Sequence, residues 1–379
     1  MKIRAIEAFA LSCPIPEAEQ VSLGIGRTVK RDAVLVKITT DDGLVGWGEA
    51  HAGRAPTVIA ELIHSTLAPA ILGQPADDIA GIWARLYRLQ LASHGTGAAA
   101  ALAISGIDMA LWDLRGKAAG LPLYALLGGE HKAIPAYAGG ISLGYGSLEA
   151  LLEEAQAAVA AGYRALKLRL GQDPATDIAR VQAVRNTLGS AVDILTDANC
   201  SYTVDAAREV RAALDELEAG WLEEPFSAHD FKAYAALGGA GRTPLAAGEN
   251  HFLLSDFERL ADDGVVRLWQ PDVSKCGGLS EALRIARLAD QLGIWIHPHT
   301  SVSGLNMAAS LHFLAALPNA GYYEADYSRW NPLRTQVCTP VLAPDANGAY
   351  RPPTGPGLGV EVDEDALRHY PPLRGAGYR

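Results

Sequence analysis

Ten ionisable side chains sit at or near the ends of short apolar runs in the second part of this chain. They are Lys167 and Arg169 in LKLRL, Asp197 in TDAN, Glu223 and Glu224 in LEEP, Glu249 in AGEN, Asp272 in QPD, His297 and His299 in HPHT, and Glu324 in YYEAD. Asp197, one of Glu223 or Glu224, and Glu249 come from successive runs, evenly spaced at 26 residues. They offer only carboxylate oxygens, a donor set that suits a hard cation, most naturally Mg²⁺. Asn199 and Asn250 stand beside two of them, where an amide orients an acid or a bound water. Further on, Asp272 and His299 make a base pair of residues: an aspartate that accepts one ring N–H fixes the tautomer and raises the basicity of the imidazole. His297, two residues earlier, competes for that role, with Pro298 between the two histidines. In LKLRL the side chains alternate, so Lys167 and Arg169 share one face and need an anion there. Glu324, if it stays protonated, would donate to a developing oxyanion. A metal and a cationic pair opposite a general base suit removal of the proton next to a carboxylate, which yields a dianionic enediolate.

The elements that must position these groups follow a rhythm. After Pro135, short apolar strands at 134–138, 163–170, 192–197, 220–225, 244–249, 266–272, 294–298 and 322–326 alternate with Ala- and Leu-rich helical stretches such as LEALLEEAQAAVAAG and LSEALRIARLADQLG. Eight strands with intervening helices predict a (β/α) barrel of the TIM type, in which catalytic side chains come from the C-terminal strand ends. An open doubly wound sheet rarely sustains so many repeats, and no GxGxxG or GxxxxGK[ST] loop is present. The first part reads as α+β. AVLVKITT, the turn DDG and LVGWGEA form a hairpin, and helical patterns follow around PTVIAELIHSTLAPAIL and from about Gly97 to Gly120. The expected division is an N-terminal α+β unit over 1–130 and a barrel over 131–339. The Pro- and Gly-rich tail, 340–379, is expected to pack back on the first unit.

Bulk properties narrow the function. The chain has 379 residues, 32 Lys and Arg against 43 Asp and Glu, and a net charge of −11, which argues against a nucleic-acid partner. Its four cysteines, Cys13, Cys200, Cys276 and Cys338, form no CxxC pair and suggest neither a zinc site nor a disulfide framework. The N-terminal apolar run contains Glu7 and makes a poor signal peptide. No run of about 18 apolar residues is present to span a membrane. A cytoplasmic setting is the expectation.

Taken together, the residues resemble those of the enolase superfamily and, within it, the mandelate racemase subgroup. The similarity runs along essentially the whole chain, from ALAISGIDMALWDLRGKAAGLPLYALLGG through TDAN, LEEP, AGEN, QPDVSKCGG and HPH. The resemblance implies a modified (β/α)7β barrel under an α+β N-terminal capping domain. It implies Asp197, Glu223 and Glu249 as Mg²⁺ ligands, with Glu224 behind them, Asp272 and His299 as the base pair, and Glu324 as the electrophilic acid. A neighbouring subgroup, which includes enzymes resembling muconate lactonising enzymes, places a lysine where Asp272 stands here. Lys275 belongs to the KxGG stretch common to both and is read as supportive. The subgroup usually has Lys-x-Lys where this chain has Lys167 and Arg169. Arginine is a poor base, since its pKa exceeds about 12, so one-base chemistry through His299 is expected. Dehydration of an acid sugar to a 2-keto-3-deoxy acid leads, with racemisation, epimerisation or lactone cycloisomerisation as alternatives and a non-catalytic metal-binding barrel as a remote one. The resemblance also places substrate loops near 23–27 and 50–54, and suggests Arg27, His51, Arg54, His297 and Trp330 as contacts for a small hydroxylated carboxylate. Family members are commonly homo-oligomers.

Overall fold

The computed structural model describes residues 1–239, 241–300 and 302–379. Three long antiparallel strands open the chain: β1 (Ile3–Pro14), β2 (Lys30–Thr40) and β3 (Val45–His51), in the order β1-β2-β3. The long helix α2 (Ala98–Ala119) covers this sheet, and helix α1 (Ile79–Gln90) packs against α2. Contact between β3 and α2 is close because both surfaces are small there. A Cβ on Gly48 would stand 2.2 Å from the Gly106 carbonyl oxygen, and one on Gly46 2.3 Å from that of Ala110. Gly120, at φ 66°, ends α2 in the left-handed conformation that glycine adopts without steric cost.

Eight parallel strands then form a closed ring. They are β4 (Ile134–Gly139), β5 (Ala165–Arg169), β6 (Asp193–Asp197), β7 (Trp221–Glu223), β8 (Leu245–Ala247), β9 (Val266–Trp269), β10 (Trp295–Ile296) and β11 (Tyr323–Asp326). Sequence neighbours pair in order from β4 to β10, β11 pairs with β4, and an Ile296–Ala320 bridge joins the remaining seam. Seven helices run between successive strands: α3 (Leu148–Ala160), α4 (Pro174–Leu188), α5 (Val204–Glu216), α6 (Phe231–Leu237), α7 (Leu253–Asp263), α8 (Leu279–Gln291) and α9 (Gly304–Ala315). This is the (β/α)7β arrangement. Ser147, Asp173, Thr203 and Asp230 accept backbone N–H groups at the helix starts, which is why the chain turns from strand to helix at those points. The strand pairing aligns Arg169 with Asp197 and Asp197 with Glu223, so three ionisable residues lie level at adjacent strand ends. Leu166, Leu168 and Leu170 are fully buried in the core cluster that also takes in residues of the surrounding helices.

The tail does not pack on the N-terminal unit alone: Ala349 and Tyr350 pair with Pro135 and Ile134 of barrel strand β4, while residues 370–379 lie against the N-terminal sheet and its loops. Ser12 N–H donates to Tyr370 O at 3.1 Å, Lys30 Nζ to Leu373 O at 2.7 Å, and Arg27 N–H to Arg379 O at 2.8 Å. No described helix is long and apolar enough to cross a membrane.

Candidate active site

A cavity of about 390 Å³ opens over the C-terminal ends of the barrel strands. Its floor includes Arg169, Glu224, Glu249, Lys275, His299 and Glu324, and its upper wall takes Ile25, Arg31, His51, Arg54 and Tyr378 from the capping side. Strand ends therefore supply the ionisable floor, while loops and the tail supply the mouth.

One wall of the site is a compact ion-pair network. Lys167, with almost no exposure, places Nζ 2.8 Å from Glu223 Oε1, 3.0 Å from Glu324 Oε1 and 3.6 Å from Asp197 Oδ2. Burial acts to lower the Lys167 pKa, but Glu223 and Glu324 more than offset it and hold the ammonium well above its ordinary range. Arg169 pairs with Asp197 and donates to Gly140 O. Asp197 also accepts from Asn199 N–H at 2.8 Å. Glu223 Oε2 accepts from Trp221 Nε1 at 3.1 Å and Gln270 Nε2 at 2.8 Å, so both its oxygens are engaged inside the barrel.

The other wall holds the histidine. His299 Nδ1 lies 2.6 Å from Asp272 Oδ2, and its Nε2 lies 3.1 Å from Glu249 Oε2. Asp272 is fully buried, and its Oδ1 accepts from Ser274 N–H and Oγ at 2.7 Å and from Asn306 Nδ2 at 2.8 Å. Burial would raise the Asp272 carboxyl, but the bond from His299 and the nearby charges hold it below the usual carboxylate range. Burial would lower His299, and Glu249 with Asp272 outweighs that, so the imidazole is more basic than usual. Lys275 Nζ reaches Glu249 Oε1 at 3.4 Å.

Several expectations need correction. Glu324 is no neutral donor here: Lys167 and His299 outweigh its burial and keep it ionised, while it accepts from Gly140 N–H and Thr300 N–H. Glu224, expected behind the ligands, itself lines the cavity, with its backbone at φ 39°, while Glu223 is turned to Lys167, Trp221 and Gln270. Arg27 points away and donates to Glu17 O at 3.3 Å, outside the cavity. His297 is buried against Trp221, with ring centroids 5.1 Å apart, and accepts from Tyr322 N–H. Burial pushes it down to about 4, so it stays neutral. Trp330 lies outside the cavity, where its Nε1 donates to Pro14 O. His51 and Arg54 do reach the cavity. Burial and then Lys275 push His51 down to about 3, and the Arg54 guanidinium stands 5.3 Å over the Tyr378 ring. Sequence reasoning missed Lys30 and Arg31, whose signal was the charged run KRD at the start of an apolar strand. It also missed Tyr378, which no local pattern marks.

Asp197, Glu223, Glu224, Glu249 and Glu324 meet three permanent cations, Lys167, Arg169 and Lys275, and Glu249 also meets His299 Nε2 at 3.1 Å. Five carboxylates against three cations leave an excess of two negative charges. Burial, then Glu249, Asp197 and Glu223, push Glu224 well above the carboxylate range, which marks unmet negative charge. Asn199 Oδ1 is buried beside them without a partner among the described residues. The donor chemistry and charge excess fit a divalent hard cation. The oxygens are turned to the cations named above, and among the described residues no three acidic, His or Cys side chains are grouped closely enough to hold an ion.

Comparison with known proteins places this fold and site in a family. Residues 5–128 match the mandelate racemase / muconate lactonizing enzyme N-terminal domain, and residues 150–366 the enolase C-terminal domain-like family. The chain belongs to the enolase superfamily, mandelate racemase subgroup. It is 33% identical to a D-galactarolactone cycloisomerase from Agrobacterium fabrum, covering 98% of this chain and 99% of that protein. It is also 33% identical to an arabinonate dehydratase from Saccharolobus solfataricus, covering 89% and 90%. Among solved structures, an enolase superfamily member from Polaromonas sp. JS666 superposes with a TM-score of 0.97 at 52% identity over all of both chains. A racemase from Streptomyces coelicolor A3(2) that contains bound magnesium superposes with a TM-score of 0.88 at 30% identity, covering 97% and 99%. The family's shared chemistry is Mg-dependent and runs through an enediolate, and its members similar to this chain are lyases and isomerases.

Proposed function

We propose that His299 removes the proton alpha to the carboxylate of a hydroxylated sugar acid, and that the β-hydroxyl then leaves as water to give a 2-keto-3-deoxy acid. The observation that supports this reading is the asymmetry of the two walls. His299 lines the cavity and is oriented by Asp272 at 2.6 Å. Lys167, the amine on the other wall, is absent from the cavity lining and is held protonated among three carboxylates. Arg169 is too basic to serve as a second base. A base on one face returns its proton on that face, which suits elimination; racemisation needs delivery to the other.

The step balances without a redox partner. The Cα–H bond breaks with its proton to His299 Nε2, the Cβ–O bond breaks as that proton goes to the departing hydroxide, and the Cα=Cβ enol so formed ketonises by losing its hydroxyl proton and gaining one at Cβ. Asp272 stabilises the imidazolium formed in between. Asp197, Glu223 and Glu249 would hold Mg²⁺, with Asn199, Glu224, Asn250 and Lys275 orienting them. Bound there, the ion supplies Lewis-acid stabilisation of the enediolate. Arg169 and the Lys167 ammonium add positive potential on the same side, and His51 and Arg54 meet hydroxyls at the mouth. A second one-base reading, cycloisomerisation of a sugar lactone, is supported by the match to the galactarolactone cycloisomerase over 98% of this chain.

A library of aldonic acids, aldaric acids and their lactones, assayed with Mg²⁺, tests both. A semicarbazide-reactive 2-keto product supports dehydration; an isomerised lactone without it supports cycloisomerisation. Deuterium incorporation with inversion at the α-carbon overturns the one-base reading. Activity that survives chelation overturns the metal assignment.

A further inference from the structure

We propose that Glu49, on the last turn-facing stretch of capping strand β3, is a positioning residue for the Asp272–His299 pair. This rests on the reading of that pair as the base. Glu49 is completely buried and about 250 residues away from the segment it grips. Its carboxylate accepts from Val302 N–H at 3.2 Å, from Ser303 N–H at 3.0 Å and from Ser303 Oγ. Ser303 in turn accepts from Leu305 N–H and so caps α9. One turn into α9, Asn306 Nδ2 donates to Asp272 Oδ1 at 2.8 Å. Glu49 thus pins the segment that carries His299 on one side and Asn306 on the other.

The same strand reaches the other half of the pair. Two residues along, His51 N–H donates to Ser274 O at 3.0 Å, and Ser274 donates twice to Asp272 Oδ1. One capping strand therefore ties both loops whose side chains meet in the 2.6 Å contact between His299 and Asp272. No cation pairs with Glu49 among the described residues. Burial is the main influence on its acidity and pushes it up to about 7, with Ser303 acting in the opposite sense. A neutral side chain would remove that burial penalty. What only the carboxylate supplies is the cluster of acceptors that three donors from one loop require at once.

The test uses the full-length enzyme carrying Glu49→Gln, with Ser303→Ala as a second variant that leaves the carboxylate in place. A short imidazole–carboxylate hydrogen bond gives a downfield proton resonance, assigned to His299 by its absence in His299→Asn. In Glu49→Gln the resonance is expected to shift or broaden. kcat should fall about 10- to 100-fold, as for other residues that orient a catalytic group, with KM within about twofold and the melting temperature at pH 8 not lowered. Ser303→Ala should shift the resonance in the same direction by less. An unchanged resonance in both variants overturns the proposal, as does a loss confined to KM. The resonance needs no substrate, so a failure of the dehydration assay in the wild-type enzyme leaves this result readable on its own.

Discussion

The two walls of the cavity use acids in opposite ways. On the Lys167 side, Asp197, Glu223 and Glu324 are paired with the buried cations Lys167 and Arg169, and the one amine there is held protonated. On the His299 side, Asp272 faces an imidazole that is half-buried in the cavity wall, and Glu49 behind it has three donors and, among the described residues, no cation. The first arrangement holds positive charge still. The second leaves one group poised to gain and lose a proton. The contrast teaches that a ring of similar strand ends can carry its counter-charges unevenly, which is what the proposed one-sided chemistry requires.

The largest expected break comes from His299→Asn. Loss of a general base is expected to slow α-proton exchange roughly a hundred- to ten-thousand-fold, measured as solvent deuterium entering any accepted acid sugar. Residual exchange within tenfold of wild type would mean that the Lys167 wall also works. Next is Lys167→Met, which leaves Glu223 and Glu324 buried without their ammonium. A stability loss of about 3–5 kcal/mol is expected in chelator, read by denaturant unfolding. A loss under about 1 kcal/mol would show that the network is not held by that cation.

A pH titration separates Glu49 from Glu324 by sign. Glu49 is raised to about 7 in the folded chain. Between the ordinary carboxylate range and that value, the folded state keeps a proton that the unfolded state has lost. Its contribution to stability therefore falls as pH rises across that window, by about 1.4 kcal/mol per pH unit at most. Glu49→Gln should flatten that slope relative to wild type between pH 5 and 7. Glu324, held low by Lys167 against its burial, contributes in the opposite sense, losing stability only as the solution becomes strongly acid. The smallest effect concerns the mouth. Tyr378→Ala removes the ring under Arg54, and an exposed cation–π contact of about 0.5–1 kcal/mol translates to a roughly two- to fivefold rise in KM with kcat unchanged.

The barrel and its ionisable floor were legible because strand alternation and βα spacing are periodic, and the same period selects which side chains point inward. The failures fall where the period stops. β10 is only two residues long, Trp295–Ile296, so the alternation that linked His297 to His299 ends before either residue. Glu224 follows the last residue of β7, and its positive φ takes it out of the strand alternation and into the cavity lining. Arg27 and Trp330 belong to loops whose side-chain directions depend on partners, Glu17 and Pro14, that no local pattern marks. Tyr378 is the same case at longer range.

That range has a consequence for the order in which the molecule forms. The acid ring joins strands one βα unit apart, with Asp197 directly beside Glu223. The cavity wall instead needs Lys30 to meet Leu373 across 343 residues of chain, and Ser12 to meet the same residue across 361. Closing loops of that length costs entropy that only the finished contacts repay, so long-range pairings slow folding and complete it. Loop-closure entropy alone thus favours the pairing of Asp197 with its strand neighbours before the mouth is built, and a chain stalled in between would expose acids without yet having a pocket to hold a substrate over them.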